Sequence, residues 1–365
     1  MSRVNTHHRW VVFCRVVDNH GDLGVCWRLS TQLAARGKQV RLYVDDASAL
    51  AWMAPQGCAG VQVLPWPDAR TGVANDMPAE VVIEAFGCEL PTSFQAAMAT
   101  WPTPPVWVNL EYFSAETVAL RNHGLPSPVM SGPAKGMRKW FFYPGLSEQS
   151  GGVLAGPEAM TKTSAMTNTA VMTSSADVTS PAPSPAAVNI SLFCYEPASL
   201  DGWLRQLKQG PQEVRLSVTA GRATQAVRQA LSTWSTAQHF QLHELPYLSH
   251  EAFDAMLAAQ DLNLVRGEDS LVRAIWAGKA FLWQIYPQED GAHWPKLQAF
   301  LQATQAPPLV VQAHLAWNAD EPTPLPLLTP DHLAEWTTWA QDLKHCLQAQ
   351  TDLLTRLESF VATHG

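Results

Sequence analysis

Short apolar runs alternate with amphipathic segments along most of the chain. Trp10 to Val17 is rich in valine, as a strand buried on both faces is. A glycine-bearing loop, Asp18 to Gly24, follows. From Val25 to Arg36 the positions Val25, Leu29, Leu33 and Ala34 share one helical face, and Gly37 is placed to end the helix. Further strands are predicted at Gln39 to Val44, Val61 to Leu64, Val81 to Ala85 and Val106 to Leu110. Strands alternating with helices predict a parallel sheet covered on both faces.

The rhythm stops at Met160 to Ala187, where Thr, Ser, Ala and Pro supply 20 of 28 residues and no aromatic occurs. Such a segment buries too little apolar surface to offset its ordering entropy, and it reads as a flexible linker or insertion. Strands are predicted again at Val188 to Cys194, Val214 to Thr219, Phe240 to His243, Leu262 to Val265 and Phe281 to Ile285. Helices are predicted at Ala198 to Leu207, Arg222 to Trp234 and Ser270 to Ala277, and the tail from about Pro330 to Val361 is helical. The expected organisation is an α/β domain over 1–150, a linker over 151–187, a second α/β domain over 188–330 and C-terminal helices over 331–365. Two doubly wound domains would place a cleft between them, with ligand sites at the carboxyl ends of the strands.

A length of 365 residues suits two domains, and 47% hydrophobic with 15% charged residues is ample for a core in each. The formal charge of −8 argues against a general nucleic-acid binder, which needs a basic surface, but leaves room for a local phosphate pocket. No apolar run approaches the roughly 18 to 20 residues of a membrane span, and the first ten residues lack a signal-peptide core. The six cysteines form no C-x-x-C pair, which favours free thiols in a reducing, cytoplasmic setting. Asp45-Asp46 ends a strand without the partners a metal would need. No metal site is expected.

The first candidate constellation is the loop Asp18-Asn19-His20-Gly21-Asp22-Leu23-Gly24, where open α/β sheets carry function. Two carboxylates four residues apart can converge on one reacting group, one taking a proton while the other orients it. The alternative is that Asp18 ends the strand and Asp22 caps the helix. The Gly-x-x-Gly spacing matches neither the dinucleotide fingerprint nor the P-loop.

The second constellation is Arg266-Gly267-Glu268-Asp269-Ser270, which follows a strand and opens a helix. A helix N-terminus suits phosphate, Arg266 and Ser270 add donors, and the two acids suit sugar hydroxyls or capping. Tyr286-Pro287-Gln288, Phe193-Cys194-Tyr195-Glu196 and Leu245-Pro246-Tyr247 lie at neighbouring strand ends. Together they are able to stack a base and bond its edges, although each alone reads equally as packing.

The stretches Val16 to Leu29, Asn109 to Glu116, Gly124 to Pro128, Arg266 to Gly278 and Tyr286 to Gln288 resemble the protein-arginine rhamnosyltransferases of elongation factor P, the EarP family. The resemblance covers roughly residues 10–150 and 188–360. It implies a GT-B fold, two Rossmann-like domains facing each other across a cleft, and metal-independent, inverting transfer without a cofactor. The implied donor is dTDP-β-L-rhamnose, and the implied acceptor is one arginine of elongation factor P, activated thereby for rescue of stalled ribosomes. It implies Asp22 as general base, Asp18 as the group orienting the guanidinium, and Glu268 as a third essential acid. Phe193, Tyr195, Tyr247, His250, Arg266, Asp269, Ser270, Tyr286 and Gln288 fall on its donor-binding positions. His250 stands where the family has Gln, and His20 where it has an aromatic residue. The alternatives are a GT-B transferase for another sugar or acceptor, and a non-catalytic nucleotide-sugar or elongation-factor binding module.

Overall fold

A computed structural model describes residues 8–17, 20–66, 78–157, 187–232, 239–288 and 291–365. Asp18 and residues 160–186 of the low-complexity segment lie outside the described residues. The chain divides into two compact units, one of Met1–Thr169 with Gln350–Gly365 and one of Ala170–Ala349.

Unit 1 contains β1 (Arg9–Cys14), α1 (Gly21–Ala35), β2 (Gln39–Val44), α2 (Leu50–Met53), β3 (Val61–Pro65), β4 (Val81–Ala85), α3 (Thr92–Met98), β5 (Val106–Leu110), α4 (Thr117–Asn122), β6 (Pro126–Pro128) and β7 (Arg138–Phe142). Unit 2 contains β8 (Val188–Leu192), α5 (Leu200–Gln209), β9 (Val214–Val218), α6 (Arg222–Leu231), β10 (Phe240–Glu244), α7 (His250–Ala259), β11 (Leu262–Arg266), α8 (Gly267–Ala277), β12 (Ala280–Gln284), α9 (His293–Ala303), α10 (Pro308–Trp317) and α11 (Pro330–Ala349). The last helix, α12 (Leu353–His364), belongs to unit 1. The tail grouped over 331–365 by its sequence is therefore shared between the units.

The sheet of unit 1 runs β3-β2-β1-β4-β5-β7-β6, all parallel except for β6 against β7. The sheet of unit 2 runs β10-β9-β8-β11-β12, parallel throughout. In each, strand order reverses beside the first strand, between β1 and β4 and between β8 and β11. A crevice outside the carboxyl ends of the strands opens at such reversals, and ligands of open α/β sheets bind there.

Period-two alternation sorts the strands of unit 1 onto two cores. Trp10, Val12, Cys14, Val40, Leu42, Val81 and Ile83 pack with Leu23, Leu29 and Leu33 of α1 and with Leu353, Leu354, Leu357 and Val361 of α12. Val11, Phe13, Tyr43, Val82 and Trp107 pack with Phe94 and Met98 of α3 on the other face. Burial on both faces is why these strands read as continuous apolar runs. Arg36, after α1, binds Asp352 at 2.9 Å and Glu358 at 2.8 Å, which fastens α12 to the helix it covers.

In unit 2, Phe281 and Trp283 of β12 pack on Phe300, His314 and Trp339. His314 is fully buried; its Nε2 accepts from the Trp283 N–H at 3.2 Å, so its Nδ1–H donates to the Val310 carbonyl at 2.9 Å. Burial pushes its pKa down to about 4 from the ordinary 6.5, and the Val310 bond offsets part of that. Between pH 6.5 and 4 the unfolded chain takes up a proton that the folded one refuses, so stability falls as the pH drops through that window. The expected loss is about 3 kcal/mol. Chemical unfolding at a series of pH values checks it: His314→Gln should flatten the slope, and an equal slope in both proteins would contradict the assignment.

Candidate active site

At the reversal in unit 1, α1 begins at Gly21, four residues before the start that hydrophobic spacing predicts. Its first turn closes with the Gly24 N–H on the His20 carbonyl at 2.9 Å. Asp22 therefore stands on the helix, within its first turn, where the positive end of the dipole favours a carboxylate. Its side chain is buried, 3% exposed. Oδ2 accepts from the Val17 N–H at 2.8 Å and Oδ1 from the Tyr112 hydroxyl at 3.1 Å. Asp45, which its sequence context marks as a solvated strand end, accepts from the Val16 N–H at 2.9 Å. Two carboxylates thus hold consecutive peptides of the segment that leads to Asp18. His20 is exposed and meets Trp52 edge-on at 5.3 Å.

At the reversal in unit 2, β11 passes directly into α8. Gly267 makes the turn with φ +65, a left-handed conformation that side chains rarely adopt. Arg266 lies across two rings, 4.4 Å from the Phe193 centroid and 4.6 Å from that of Tyr195, and its Nη1 donates to the Cys194 carbonyl at 3.1 Å. Tyr195 is 2% exposed; its N–H donates to Gln284 Oε1 at 2.8 Å, and Tyr286 meets its ring edge-on at 5.6 Å. Arg222 stands 5.3 Å from the same ring and pairs with Glu196. That partner, above all through its hydrogen bond, holds the Glu196 carboxyl below the usual range. Phe193, Tyr195, Arg266 and Tyr286 are thus brought together as one cluster.

The other expected residues are placed more loosely. Tyr247 is 54% exposed, in the segment after β10, with its hydroxyl near Gly221. His250 opens α7, behind a Ser249 cap that accepts from the Ala252 N–H at 3.2 Å. Gln288 is exposed, and its N–H donates to His293 Nδ1 at 3.1 Å. Asp269 is half-buried in the first turn of α8. The Ser270 hydroxyl, read from sequence as a phosphate donor, donates to the Arg266 carbonyl inside its own helix. Glu268 pairs with Lys296 of α9, both side chains 19% exposed.

Gln284, Arg222, Lys296 and Tyr112 escaped the sequence reading. Gln284 left a trace as the polar end of the apolar strand Ala280–Gln284, and Tyr112 lay inside a motif that carried no assigned role. Arg222 and Lys296 left none, since surface cations open many helices.

Cys194 lies inside the aromatic cluster, but burial pushes its thiol up to about 12, and Cys88 beside β4 is raised likewise to about 12. Neither supplies a thiolate nucleophile at neutral pH. Among the described residues no group of three or more His, Cys, Asp or Glu is arranged to hold a metal, and no helix is long and apolar enough to cross a membrane.

Two Rossmann-like units, each with a residue cluster at a strand-order reversal, have the architecture of the GT-B fold. The solved spinosyn forosaminyltransferase SpnP shares this fold, with a TM-score of 0.52 at 12% identity over 98% of this chain and 100% of that one. The chain belongs to the Elongation-Factor P (EF-P) rhamnosyltransferase EarP family, which matches residues 10–362. It is similar to the protein-arginine rhamnosyltransferase of Pseudomonas putida, 40% identical over 85% of this chain and 87% of the relative. It is similar as well to a solved structure described as the structural basis for EarP-mediated arginine glycosylation of translation elongation factor EF-P. There the TM-score is 0.59 at 25% identity, over 97% of this chain and 99% of that one. The family resemblance read from the motifs is thereby borne out.

Proposed function

We propose that the protein transfers L-rhamnose from dTDP-β-L-rhamnose to a single arginine of elongation factor P, with inversion and without a metal, in the cytoplasm. The observation that carries the reading is the buried Asp22 carboxylate at the reversal of unit 1, gripped through both oxygens in a chain of the EarP family. A guanidinium has a pKa above about 12 and delocalised, weakly nucleophilic nitrogens. Asp22, with Asp18, holds one N–H, localises the charge, and accepts the proton as the C–N bond forms. The bond from the anomeric carbon to the diphosphate oxygen breaks, and its electron pair leaves with dTDP. Unit 2 holds the nucleotide: Phe193, Tyr195, Tyr286 and Tyr247 offer rings and hydroxyls, while Arg266 and the N-terminus of α8 take the charge of the leaving group. His250, Asp269, Ser270 and Gln288 complete the proposed contacts.

Glu268 serves the sugar in this scheme. Glu268→Gln keeps the side-chain shape and removes the charge that faces Lys296. It is expected to weaken nucleotide-sugar affinity by about ten-fold and to leave acceptor binding alone. Calorimetric titration with each substrate checks this, and unchanged nucleotide-sugar affinity with full turnover would count against the role.

The reading as a whole is tested by intact-mass spectrometry of elongation factor P incubated with the protein and dTDP-rhamnose. A gain of one deoxyhexose on one arginine supports it, and persistence of that gain in a chelator supports metal independence. No gain with dTDP-sugar binding intact would favour another acceptor or a binding module.

A further inference from the structure

We infer that Tyr112 is a positioning residue for Asp22, held in place by a strained turn at the end of β4. The inference rests on the reading of Asp22 as the base. The Tyr112 hydroxyl donates to Asp22 Oδ1, and its ring stacks face to face on Phe86, with centroids 4.3 Å apart and planes within 11°. Phe86 follows β4 directly and has φ +57, a left-handed conformation costly for a side chain this large. Its N–H donates to the Leu110 carbonyl at 2.7 Å, so the strained residue is fastened to the end of β5, two residues before Tyr112. Asn109 ties the same corner, accepting from the Gly87 N–H at 3.3 Å and donating to Glu111 Oε1 at 2.6 Å.

The turn after β4 and the segment after β5 therefore form one braced corner beside the strand-order reversal, and the phenol is its polar tip. With the Val17 N–H on Oδ2 and the phenol on Oδ1, the plane of the Asp22 carboxylate is fixed from two sides. Its surroundings hold Tyr112 from the segment after β5, Cys26 on the next turn of α1, and the exposed His20 at the start of the helix. Burial, then the hydrogen bond with Cys14, pushes the Cys26 thiol well up, so it stays neutral beside Asp22.

Tyr112→Phe keeps the stacked ring and removes only the hydroxyl. Transfer to elongation factor P should slow about ten-fold in kcat with both KM values unchanged, and should slow no further in an Asp22→Asn background. NMR of carboxyl-labelled aspartate in the free protein should show the Asp22 titration about one pH unit higher in Tyr112→Phe. Phe86→Leu, which removes the stacking face, should move both readouts in the same direction. Wild-type kcat and an unmoved titration would overturn the inference, as would a raised acceptor KM at constant kcat, which would make Tyr112 a substrate contact. Wild-type protein that shows the titration difference but transfers no rhamnose would remove the functional reading and leave the placement of Asp22 by Tyr112 standing.

Discussion

Asp22→Asn is expected to lower turnover by about two to four orders of magnitude while nucleotide-sugar affinity stays unchanged. The amide has the shape of the carboxylate but cannot take the proton that must leave the guanidinium as the new bond forms. Its effect on the fold should be small for a reason visible in the structure. The Val17 N–H can only donate, so the amide oxygen must face it, at the place now held by Oδ2. The amide NH2 then faces Tyr112, whose hydroxyl rotates from donor to acceptor. Both buried contacts survive in altered form, and the stability change should stay within about 1 kcal/mol. Single-turnover mass spectrometry, with dTDP titration and thermal unfolding on the same sample, separates the two effects. Turnover near that of the wild type would remove Asp22 as the base; loss of dTDP affinity or of the fold would show that the variant tests something else.

Arg266→Ala acts on the other substrate. Its guanidinium lies over the Phe193 and Tyr195 rings and holds the Cys194 carbonyl between them. Alanine removes two cation–π contacts and one charge-assisted hydrogen bond, and leaves a buried tyrosine without its lid. Affinity for dTDP should fall by about ten- to a hundred-fold. Arg266→Lys should recover only part of it, because an ammonium restores the charge but neither the planar stack nor the fork of donors. Titration of each variant with dTDP and with thymidine separates charge from stacking: a loss confined to dTDP assigns the diphosphate to Arg266, and an equal loss for both assigns the base. Unchanged affinity in Arg266→Ala would take the residue out of the site.

The strands of both sheets were legible because burial on two faces leaves a local mark, an apolar run of fixed length. β2, β4 and β5 fall on the predicted residues Gln39 to Val44, Val81 to Ala85 and Val106 to Leu110. The start of α1 was not legible. Gly21 and Gly24 are weak helix formers, and hydrophobic spacing alone puts the first turn in the loop. What holds it helical is the Asp22 carboxylate reaching back to Val17 while Leu23 and Gly24 sink into the core. β7 was missed as well, since Arg138–Phe142 is apolar only where Trp140, Phe141 and Phe142 meet neighbours that the fold supplies.

The site divides along the same line. Asp22 and Arg266 were found from sequence because each is a charged residue where an apolar strand gives way to the next helix, and family motifs named the chemistry. Their partners were not found. Tyr112 is 90 positions from Asp22, and Gln284 is 89 from Tyr195. The pairing of Glu268 with Lys296 spans 28. By itself the sequence determined two α/β units, the strand ends where function lies, and the acids and cations able to perform it. Only the tertiary structure decided what holds each oxygen of Asp22, which rings Arg266 covers, and that the tail is shared between the units. Strand periodicity and helix faces are written into neighbouring residues, whereas a hydrogen bond between distant ones exists only after the sheets have set strand order and brought the strand ends side by side.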